Sequence, residues 1–365
     1  MSADSIANAV LEIDLGALVG NWRRLRDRLP PGATCAGIVK ADAYGLGMAA
    51  VAPALEAAGC TLFFVSQLAE AVALRRLLPQ SEIAVLNGLL PTSEADFIDH
   101  RLIPVLNDLG QIAAWRSLGG GRDAIIHVDT GMARLGLPPS ELALLAADKS
   151  LLAGINLHAV MSHLACADQP AHPHNARQLA AFRAATAVLP MAPASFANSS
   201  GVFLGADYHF DIARPGAAVY GVNPLPGGPN PMAQVVRLKG RILQTRDIDT
   251  GESVGYGSTH RRERPGRIAT IAVGYADGWL RSLSNRGSVA IAGQRVPVVG
   301  RISMDLMTID VTGLDPQSTR PGAFAELIGP GNDVDAVAAE AGTIGYEVLT
   351  ALGRRYHRVH TGGAA

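Results

Sequence analysis

The sequence predicts an α/β fold in which an N-terminal (β/α)8 TIM-type barrel precedes a mainly antiparallel β domain. Two observations carry this prediction. Short apolar segments alternate with alanine- and leucine-rich segments as far as residue 214, and after Gly221 the pattern changes to alternating, β-branched segments. The 365 residues, 48% of them hydrophobic, are enough for one large core or two domains.

Eight short apolar segments, each ended by a polar residue, predict the strands of the barrel. In chain order they are CAGIV, TLFFV, EIAVL, LIPVL, AIIHV, NLHAVM, ASFA and FDIA. Segments with apolar residues at helical spacing separate most of them, for example 48–58, 68–78, 140–147 and 175–188. Strands that alternate with helices indicate parallel βαβ units, and eight such units favour a closed barrel over a doubly wound open sheet.

The last third of the chain predicts a separate β domain. The segment NPLPGGPNP has the composition of a linker, and behind it come alternating segments such as VVRLKGRILQTRDI and GSVAIAGQRVPVVG. We therefore assign residues 12–228 to the barrel and 229–365 to the β domain. We expect a strand within residues 1–11 to join the β domain.

Composition excludes several classes of function. The net charge of −1 gives no electrostatic footprint for nucleic acid or an anionic membrane. The three cysteines are far apart in sequence, which suits a reducing compartment and provides no disulfide framework. The N-terminus lacks the features of a signal peptide, and no apolar run is long enough to span a bilayer. We expect a soluble, cytoplasmic protein.

Lys40 is the first candidate for chemistry. It follows the first predicted strand in GIVKADAYGLG, and the carboxyl ends of barrel strands are where this architecture carries its active site. A primary amine at that place can form an imine with an aldehyde cofactor, of which pyridoxal phosphate is the commonest.

Nine motifs extend this candidate to a family. VKADAYGLG, VDTGMARLG, MSHLACAD, FANSSG, RPGAAVYG, VGYGSTH, VGYADG, GRISMDL and GTIGYEVLT recur in this order over about residues 10–356. Together they resemble the alanine racemases, a pyridoxal-phosphate-dependent family of barrel enzymes. The resemblance implies an isomerase and a homodimer with shared active sites. It also implies interconversion of L- and D-alanine through an external aldimine by two bases, which supplies D-alanine for peptidoglycan.

The resemblance also implies roles for individual residues. Lys40 would hold the cofactor and act as one base, while Tyr256 of the partner subunit would act as the other. Arg134 would reach the cofactor's phenolic oxygen and the substrate carboxylate, which the backbone of Met304 would help to hold. The other implied cofactor contacts are Tyr44, His163, Asn198, Ser199, Arg214, Gly216, Ala217 and Tyr346. Asp168, Tyr275, Arg301, Asp305 and Ile344 would support the site or line its entrance.

The residue types suit racemisation. Inverting a carbon needs a base on one face and an acid on the other, and Lys40 and Tyr256 both titrate near 10 when unperturbed. A cationic neighbourhood that includes Arg134 would lower both pKa values. Arg214 would donate to the pyridine nitrogen without giving up its own proton. It would thereby limit charge delocalisation into the ring and favour reprotonation at Cα over transamination.

Four positions depart from the family pattern. Many relatives have a carbamylated lysine seven residues before the arginine of MARLG, and this chain has His127 there. We therefore expect a small anion such as chloride, or a nearby acidic or amide side chain, to orient Arg134. Leu46 replaces a histidine, Ser303 replaces a cysteine and His260 replaces an aromatic residue, and none of these three is a proposed proton carrier.

Other functions remain open at this stage. A broader amino-acid racemase would use the same scaffold with a larger pocket. A decarboxylase on the same barrel would need an acidic partner for the pyridine nitrogen, and a non-catalytic carrier would end after the barrel. A metal-dependent aldolase would need a ligand cluster, and we interpret the pair His172 and His174 in AHPHN as loop surface instead.

Overall fold

The structure, a computed structural model, describes residues 6–363 and consists of two large sheets with their helices and one small two-stranded sheet. It confirms the predicted fold class. The helices in chain order are α1 (Leu15–Arg26), α2 (Met48–Ala57), α3 (Leu68–Leu77), α4 (Glu94–Asp99), α5 (Leu109–Ser117), α6 (Pro139–Ala147), α7 (Pro173–Val188), α8 (Val334–Ala341) and α9 (Gly345–Ala351). Within residues 6–363, no helix combines the length and the apolar character needed to cross a bilayer.

The first sheet is a closed parallel barrel. Its strands in chain order are β2 (Thr34–Cys35), β3 (Gly37–Ile38), β4 (Leu62–Val65), β5 (Glu82–Val85), β6 (Ile103–Leu106), β7 (Arg122–His127), β8 (Ile155–Met161), β9 (Ala194–Ser195) and β10 (Ile212–Ala213), numbered after an N-terminal β1 (Ala9–Asp14). β2 and β3 are two halves of the first barrel strand. Because β2 pairs with β10 and β3 pairs with β4, that strand closes an eight-stranded cylinder.

The barrel strands bury both of their faces, which explains their continuous apolar sequences. Side chains alternate along a strand, so neighbours point to opposite faces. Phe64 belongs to a cluster inside the barrel with Ile38, Val105 and Met161. Phe63, its neighbour in β4, belongs instead to the core that also contains the helices. Two-sided burial is typical of parallel sheets covered by helices.

The second sheet is mainly antiparallel. Its strands and two short strands beside it are β11 (Val236–Ile248), β12 (Ser253–Val254), β13 (His260–Arg261), β14 (Gly266–Ile271), β15 (Ser288–Ile291), β16 (Gln294–Pro297), β17 (Met307–Asp310), β18 (Phe324–Ile328) and β19 (His357–Thr361). The long β11 pairs antiparallel with β1, β14 and β18. β1 also pairs in parallel with β19.

The N-terminal strand thus lies in the sheet of the second half of the chain, although the helix that follows it packs on the barrel. Asp14 ends β1 and begins α1 by accepting a hydrogen bond from the backbone N–H of Ala17 (2.8 Å). Residues 1–5 of the strand predicted within 1–11 lie outside the described residues. The division at residues 228 and 229 stays a prediction.

Candidate active site

A cavity of about 540 Å³ opens at the carboxyl ends of the barrel strands. Polar residues that follow these strands line it, as the barrel architecture predicts. Ten residues proposed from the sequence contribute to the lining: Lys40, Tyr44, Arg134, His163, Asn198, Ser199, Arg214, Gly216, Ala217 and Tyr346. The sequence positions of these residues span most of the chain, so folding alone brings them together.

Lys40 begins a left-handed turn directly after β3. The four residues that follow it, 41–44, have φ values between 53° and 55° although none is glycine. Such a conformation costs about 1–2 kcal/mol per residue. Burial and the positive charge of Arg134 lower the pKa of the Lys40 amine, while Glu70 acts in the opposite direction.

Glu70, in the first turn of α3, fixes the backbone beside the lysine. Its Oε1 accepts from the backbone N–H of Ala41 (2.6 Å). Its Oε2 accepts from the N–H groups of Ser66 (2.9 Å) and Gln67 (3.1 Å) at the start of the same helix. One carboxylate therefore caps α3 and holds the left-handed turn that presents Lys40.

Arg214 follows β10 and lies under the cavity with 4% of its surface exposed. Its guanidinium donates to the hydroxyl of Ser195, to the carbonyl of Ser162 (2.5 Å) and to Nδ1 of His163 (3.4 Å). Burial lowers the pKa of Arg214 to about 9, which still leaves it protonated near neutral pH. Burial, and then the charge of Arg214, hold the pKa of His163 well below its usual value, so that this imidazole is neutral.

The loops after β9 and β10 form a group of hydrogen-bond donors at one end of the cavity. The Ser199 hydroxyl accepts from the N–H groups of Gly216 (2.9 Å) and Ala218 (3.2 Å), which leaves its own proton free to donate. Ala217 begins a 3₁₀ turn, and its N–H has no acceptor within that turn. A Cβ added to Gly216 would lie 2.1 Å from the Tyr44 hydroxyl, so the approach of these two residues requires glycine.

Two tyrosines, Tyr44 and Tyr346, line this end of the cavity, and a third, Tyr220, is buried next to them. The rings of Tyr44 and Tyr220 stack with their centroids 4.6 Å apart, and Tyr346 meets Tyr44 edge-on at 6.4 Å. The Tyr220 hydroxyl donates to the carbonyl of Ile38 (2.8 Å), which ties the stack to the first barrel strand. Burial raises the pKa of all three phenols, so they remain neutral donors.

His127 faces the same cavity from the end of β7. Its Nδ1 lies 2.8 Å from Oδ1 of Asn107. The Nδ2 group of Asn107 donates to the carbonyls of Leu86 (3.3 Å) and Val105 (2.9 Å), so its oxygen must accept from Nδ1–H of the imidazole. Burial, and then the positive charges of Arg214 and Arg134, lower the pKa of His127 to about 3. A neutral imidazole with an unprotonated Nε2 therefore stands at this position.

Arg134 lies on the loop between β7 and α6. Its side chain is exposed toward the cavity, and it forms no hydrogen bond or ion pair within the described part of the chain. Asp129 closes the loop, because its carboxylate accepts from the N–H groups of Gly131, Met132 and Ala133 (2.9–3.2 Å). A rigid loop thus carries a cation whose donors are available to a ligand.

Seven of the predicted site residues do not line this cavity. Tyr256 is 73% exposed and Met304 is 55% exposed, and Tyr275 and Ile344 are exposed as well. Asp305 forms an ion pair with Arg355 (2.7 Å) on the β domain. The remaining two are Arg301, whose guanidinium packs against Gly257, and Asp168, which is exposed and acts electrostatically on Tyr346.

Comparison with known proteins shows similarity along almost the whole chain. The family model for the alanine racemase N-terminal domain matches residues 13–224, and the model for the C-terminal domain matches residues 235–360. A Rhodospirillum rubrum protein named alanine racemase is 52% identical over 99% of this chain and 98% of its own length. The chain belongs to the alanine racemase family. Its family makes it an isomerase.

Other alanine racemases agree with this assignment in sequence and in structure. A Mesorhizobium japonicum protein named as a catabolic alanine racemase is 50% identical over 99% of this chain and 95% of its own. The crystal structure of Bartonella henselae alanine racemase, which has covalently bound pyridoxal phosphate, matches with a TM-score of 0.94 and 43% identity. That match covers 97% of this chain and 99% of the other.

Several residues of the cavity in this alanine racemase homologue were not proposed from the sequence. Ser66 and Asn87 line it, and both are among the polar residues that end predicted strands, which is the signal that could have found them. Asn107 was missed although it also ends a strand, because its contact with His127 joins two different strands. The further lining residues are Ile38, Ala41, Leu86, Leu135, Met161, Ser200 and Thr350.

The histidines of AHPHN lie at the start of α7. No group of histidine, cysteine, aspartate or glutamate that could hold a metal ion occurs within residues 6–363. The interpretation of His174 as loop surface is wrong, because it is partly buried and its Nε2 contacts the carbonyl of Gly131 (3.0 Å). His172 begins α7 and accepts from the N–H of His174 through Nδ1 (3.1 Å).

Proposed function

We propose that the protein interconverts L- and D-alanine with pyridoxal phosphate held by Lys40. The observation that carries this proposal is the composition of one cavity, in which a lysine amine of lowered pKa lies among two arginines and a cluster of backbone and hydroxyl donors. When bound, the cofactor supplies an electron sink that makes the α-proton of an amino acid acidic.

The residues present fit this cofactor. A phosphate group requires several converging donors, and the proton of the Ser199 hydroxyl and the N–H of Ala217 provide them beside Gly216. The glycine leaves no Cβ to fill the space that Tyr44 approaches. Arg214 keeps its guanidinium charged at the base of the cavity, where it would face the pyridine nitrogen.

Lys40 and Tyr256 are the proposed proton carriers. The lowered pKa of the lysine increases the fraction of neutral amine, so Nζ can accept the α-proton on one face of the substrate. The phenol of Tyr256 would give or accept a proton on the opposite face. Because Tyr256 is exposed and does not line the cavity of its own chain, we place it in the active site of a partner subunit.

Arg134 would bind the substrate carboxylate, together with the backbone of Met304 from the partner. The guanidinium is unpaired in the described chain, and a carboxylate can take two parallel hydrogen bonds from it. An amide, Asn107, holds the imidazole at position 127, where the resemblance expects a carbamylated lysine. A chloride near Arg134 stays a prediction, which unchanged activity in halide-free buffer would contradict.

The exposure of Tyr256 and its neighbours also supports a homodimer with shared sites. Tyr256, Tyr275, Met304 and Ile344 are large apolar or aromatic side chains on the surface of one chain. Aromatic residues and methionine are enriched in surfaces that another protein covers. On this proposal Asp305 reaches the partner's site, while the entrance is lined by Asp168, Tyr275, Arg301 and Ile344.

The direct test is turnover of alanine. The protein loaded with pyridoxal phosphate is incubated with L-alanine in deuterium oxide, and the enantiomers and the deuterium at Cα are measured by chiral chromatography and mass spectrometry. We expect D-alanine with deuterium at Cα. Turnover of serine, lysine or arginine at rates equal to that of alanine would contradict the proposed specificity. Release of carbon dioxide without inversion would contradict racemisation altogether.

A subunit-mixing experiment tests the shared sites. Lys40→Ala and Tyr256→Phe are each purified, mixed in equal amounts and allowed to exchange subunits. If each site takes Lys40 from one chain and Tyr256 from the other, a heterodimer regains about one competent site of two. No recovery after confirmed exchange would mean that each chain supplies both residues to its own site.

For the biological role, we propose cytoplasmic production of D-alanine for peptidoglycan. A relative named as catabolic is similarly close, so alanine breakdown is the competing role. A deletion strain that requires D-alanine for growth would support the first role. A strain that grows without it but fails on alanine as carbon source would support the second.

A further inference from the structure

Helix α7 extends a fully buried amide toward the loops beside the cavity. Gln178, in its second turn, has 0% of its surface exposed. A buried polar side chain is costly unless it is hydrogen-bonded, so its position in the core depends on the bonds it makes. None of the nine family motifs contains this residue.

All three bonds of Gln178 go to loops that carry cavity residues. Its Nε2 group donates to the hydroxyl of Thr130 (3.2 Å) and to the carbonyl of His163 (2.9 Å). Its Oε1 accepts from the backbone N–H of Ala165 (2.9 Å). Gln178 thus joins the loop after β7 to the loop after β8.

Two further contacts fix the loop after β7 at the same place. The Thr130 hydroxyl also lies 2.8 Å from the hydroxyl of Ser162, and the carbonyl of Ser162 accepts from Arg214. Next in the chain, the carbonyl of Gly131 can only accept, so His174 donates to it through Nε2–H (3.0 Å). A Cβ on Gly131 would lie 2.8 Å from the imidazole of His174. There is therefore no room for a side chain between this loop and α7.

The last of these contacts is at Gly131, three residues before Arg134. The side chain of Arg134 has no partner in the described chain, so the path of its loop backbone decides where its guanidinium lies. That path is set internally by Asp129 and externally by the two bonds to α7.

We propose that Gln178 is a positioning residue that, through Thr130, places Arg134 for binding the carboxylate of the substrate. The same side chain keeps that loop in register with the loop of His163, which contacts Arg214. The inference rests on the proposed function, since it assigns Arg134 to the substrate carboxylate.

The principal variant is Gln178→Met, which keeps the length of the side chain and removes its donors and acceptor. We expect KM for alanine to rise about tenfold with kcat changed less than about threefold, as expected when a binding interaction is misaligned. Inhibition by propanoate, which has the carboxylate of alanine and no amine, should weaken by a similar factor. In the cofactor-free protein, amide hydrogen exchange should accelerate within residues 130–136.

Gln234→Met is the matched control. Within residues 6–363 the side chain of Gln234 makes one hydrogen bond, to the carbonyl of Val236 (2.8 Å), and it does not line the cavity. This variant should leave KM, propanoate inhibition and exchange within residues 130–136 at wild-type values.

Thr130→Val tests the same path if Gln178→Met folds poorly. It removes the hydroxyl that Gln178 contacts and should raise KM in the same direction, and the double variant should raise it by less than the product of the single effects. Wild-type KM and propanoate inhibition in both single variants would overturn the inference, and so would faster exchange spread evenly over the barrel. Absence of alanine turnover in the wild-type protein would instead overturn the proposed function, while the exchange measurement would still decide the role of Gln178.

Discussion

The cavity at the end of the barrel and the exposed loops of the β domain differ in how far their side chains are buried and hydrogen-bonded. In the cavity, Arg214 is buried with three partners, and Ser199 accepts two backbone bonds. On the β domain, Tyr256 and Met304 expose most of their surface and are not part of the cavity lining. One chain therefore builds the half that would bind the cofactor and leaves the other half uncovered.

This difference separates two requirements that a racemase site must meet. The groups that hold a cofactor must be rigid before it arrives, and buried hydrogen bonds supply that rigidity. The second proton carrier must instead approach a face that the barrel leaves open. One half of the proposed site is the cavity that contains Lys40, and the other is the exposed loop that carries Tyr256. Four predictions compare these halves, in order of decreasing expected effect.

Lys40→Ala should abolish the contribution of the cavity to racemisation. We expect racemisation to fall by about 10⁴-fold or more, because the variant loses both the covalent attachment and one proton carrier. The absorbance spectrum of the loaded protein should also lose its imine band. Lys239→Ala is the control, since Lys239 pairs with Glu12 in the β domain. Activity within tenfold of the wild type would rule out Lys40 as the attachment site.

Tyr256→Phe should disable the exposed half and leave the cavity intact. We expect kcat for racemisation to fall by about 10³-fold, because one face of the substrate loses its acid and base. Lys40 remains, so one enantiomer of alanine should still exchange its α-proton with deuterium oxide without inversion. Tyr208→Phe, on the barrel, is the control. Equal exchange of both enantiomers would show that another group serves the second face.

Gly216→Ala should weaken cofactor binding without touching either proton carrier. The added Cβ would lie 2.1 Å from the Tyr44 hydroxyl, so the ring or the loop must move. We expect the dissociation constant for pyridoxal phosphate to rise about tenfold, which is ~1.4 kcal/mol. Fluorescence titration of the cofactor-free protein measures it. At Gly228 a Cβ would meet only the Leu225 carbonyl, at 3.6 Å, so Gly228→Ala should bind as the wild type does.

The buried His127 in the cavity should make the stability of the folded protein depend on pH. Its pKa is lowered from 6.5 to about 3, mainly by burial, so between these values the unfolded chain binds a proton that the folded chain does not. Stability should therefore fall as the pH is lowered through this window, with a contribution of ~1 kcal/mol per pH unit. The unfolding free energy, measured by urea titration at several pH values between 6.5 and 4, should depend less steeply on pH in His127→Gln than in the wild type. Gln234→Met, which changes no titratable group, should keep the wild-type slope. Parallel slopes for all three proteins would contradict a buried, neutral His127.

The barrel and much of its cavity could be predicted from the sequence because both depend on local signals. Each strand appears as an apolar segment, and a polar residue ends it, so the carboxyl ends of the strands identify Lys40, Ser199 and Arg214. The β domain was predicted in the same way from alternation. The family resemblance then assigned roles that spacing alone does not assign.

The parts that could not be predicted depend on long-range contacts or on unusual backbone. The sequence of α7 is typical of a helix that packs on a barrel, and nothing in it indicates that Gln178 contacts Thr130, 48 positions away. His174 was interpreted as loop surface because its partner, Gly131, lies on another loop. Local propensity also gives no signal for the turn after Lys40, since alanine and tyrosine rarely adopt positive φ.

That turn reverses the usual rules of substitution. Ala41, Asp42, Ala43 and Tyr44 all have φ near 54°, a region that glycine enters freely and β-branched residues avoid. At Ala41 or Ala43, a change to glycine should raise stability by up to ~1 kcal/mol, whereas valine should lower it. Any library designed by ordinary helix and strand propensities would therefore rank the residues beside the Lys40 amine in the wrong order.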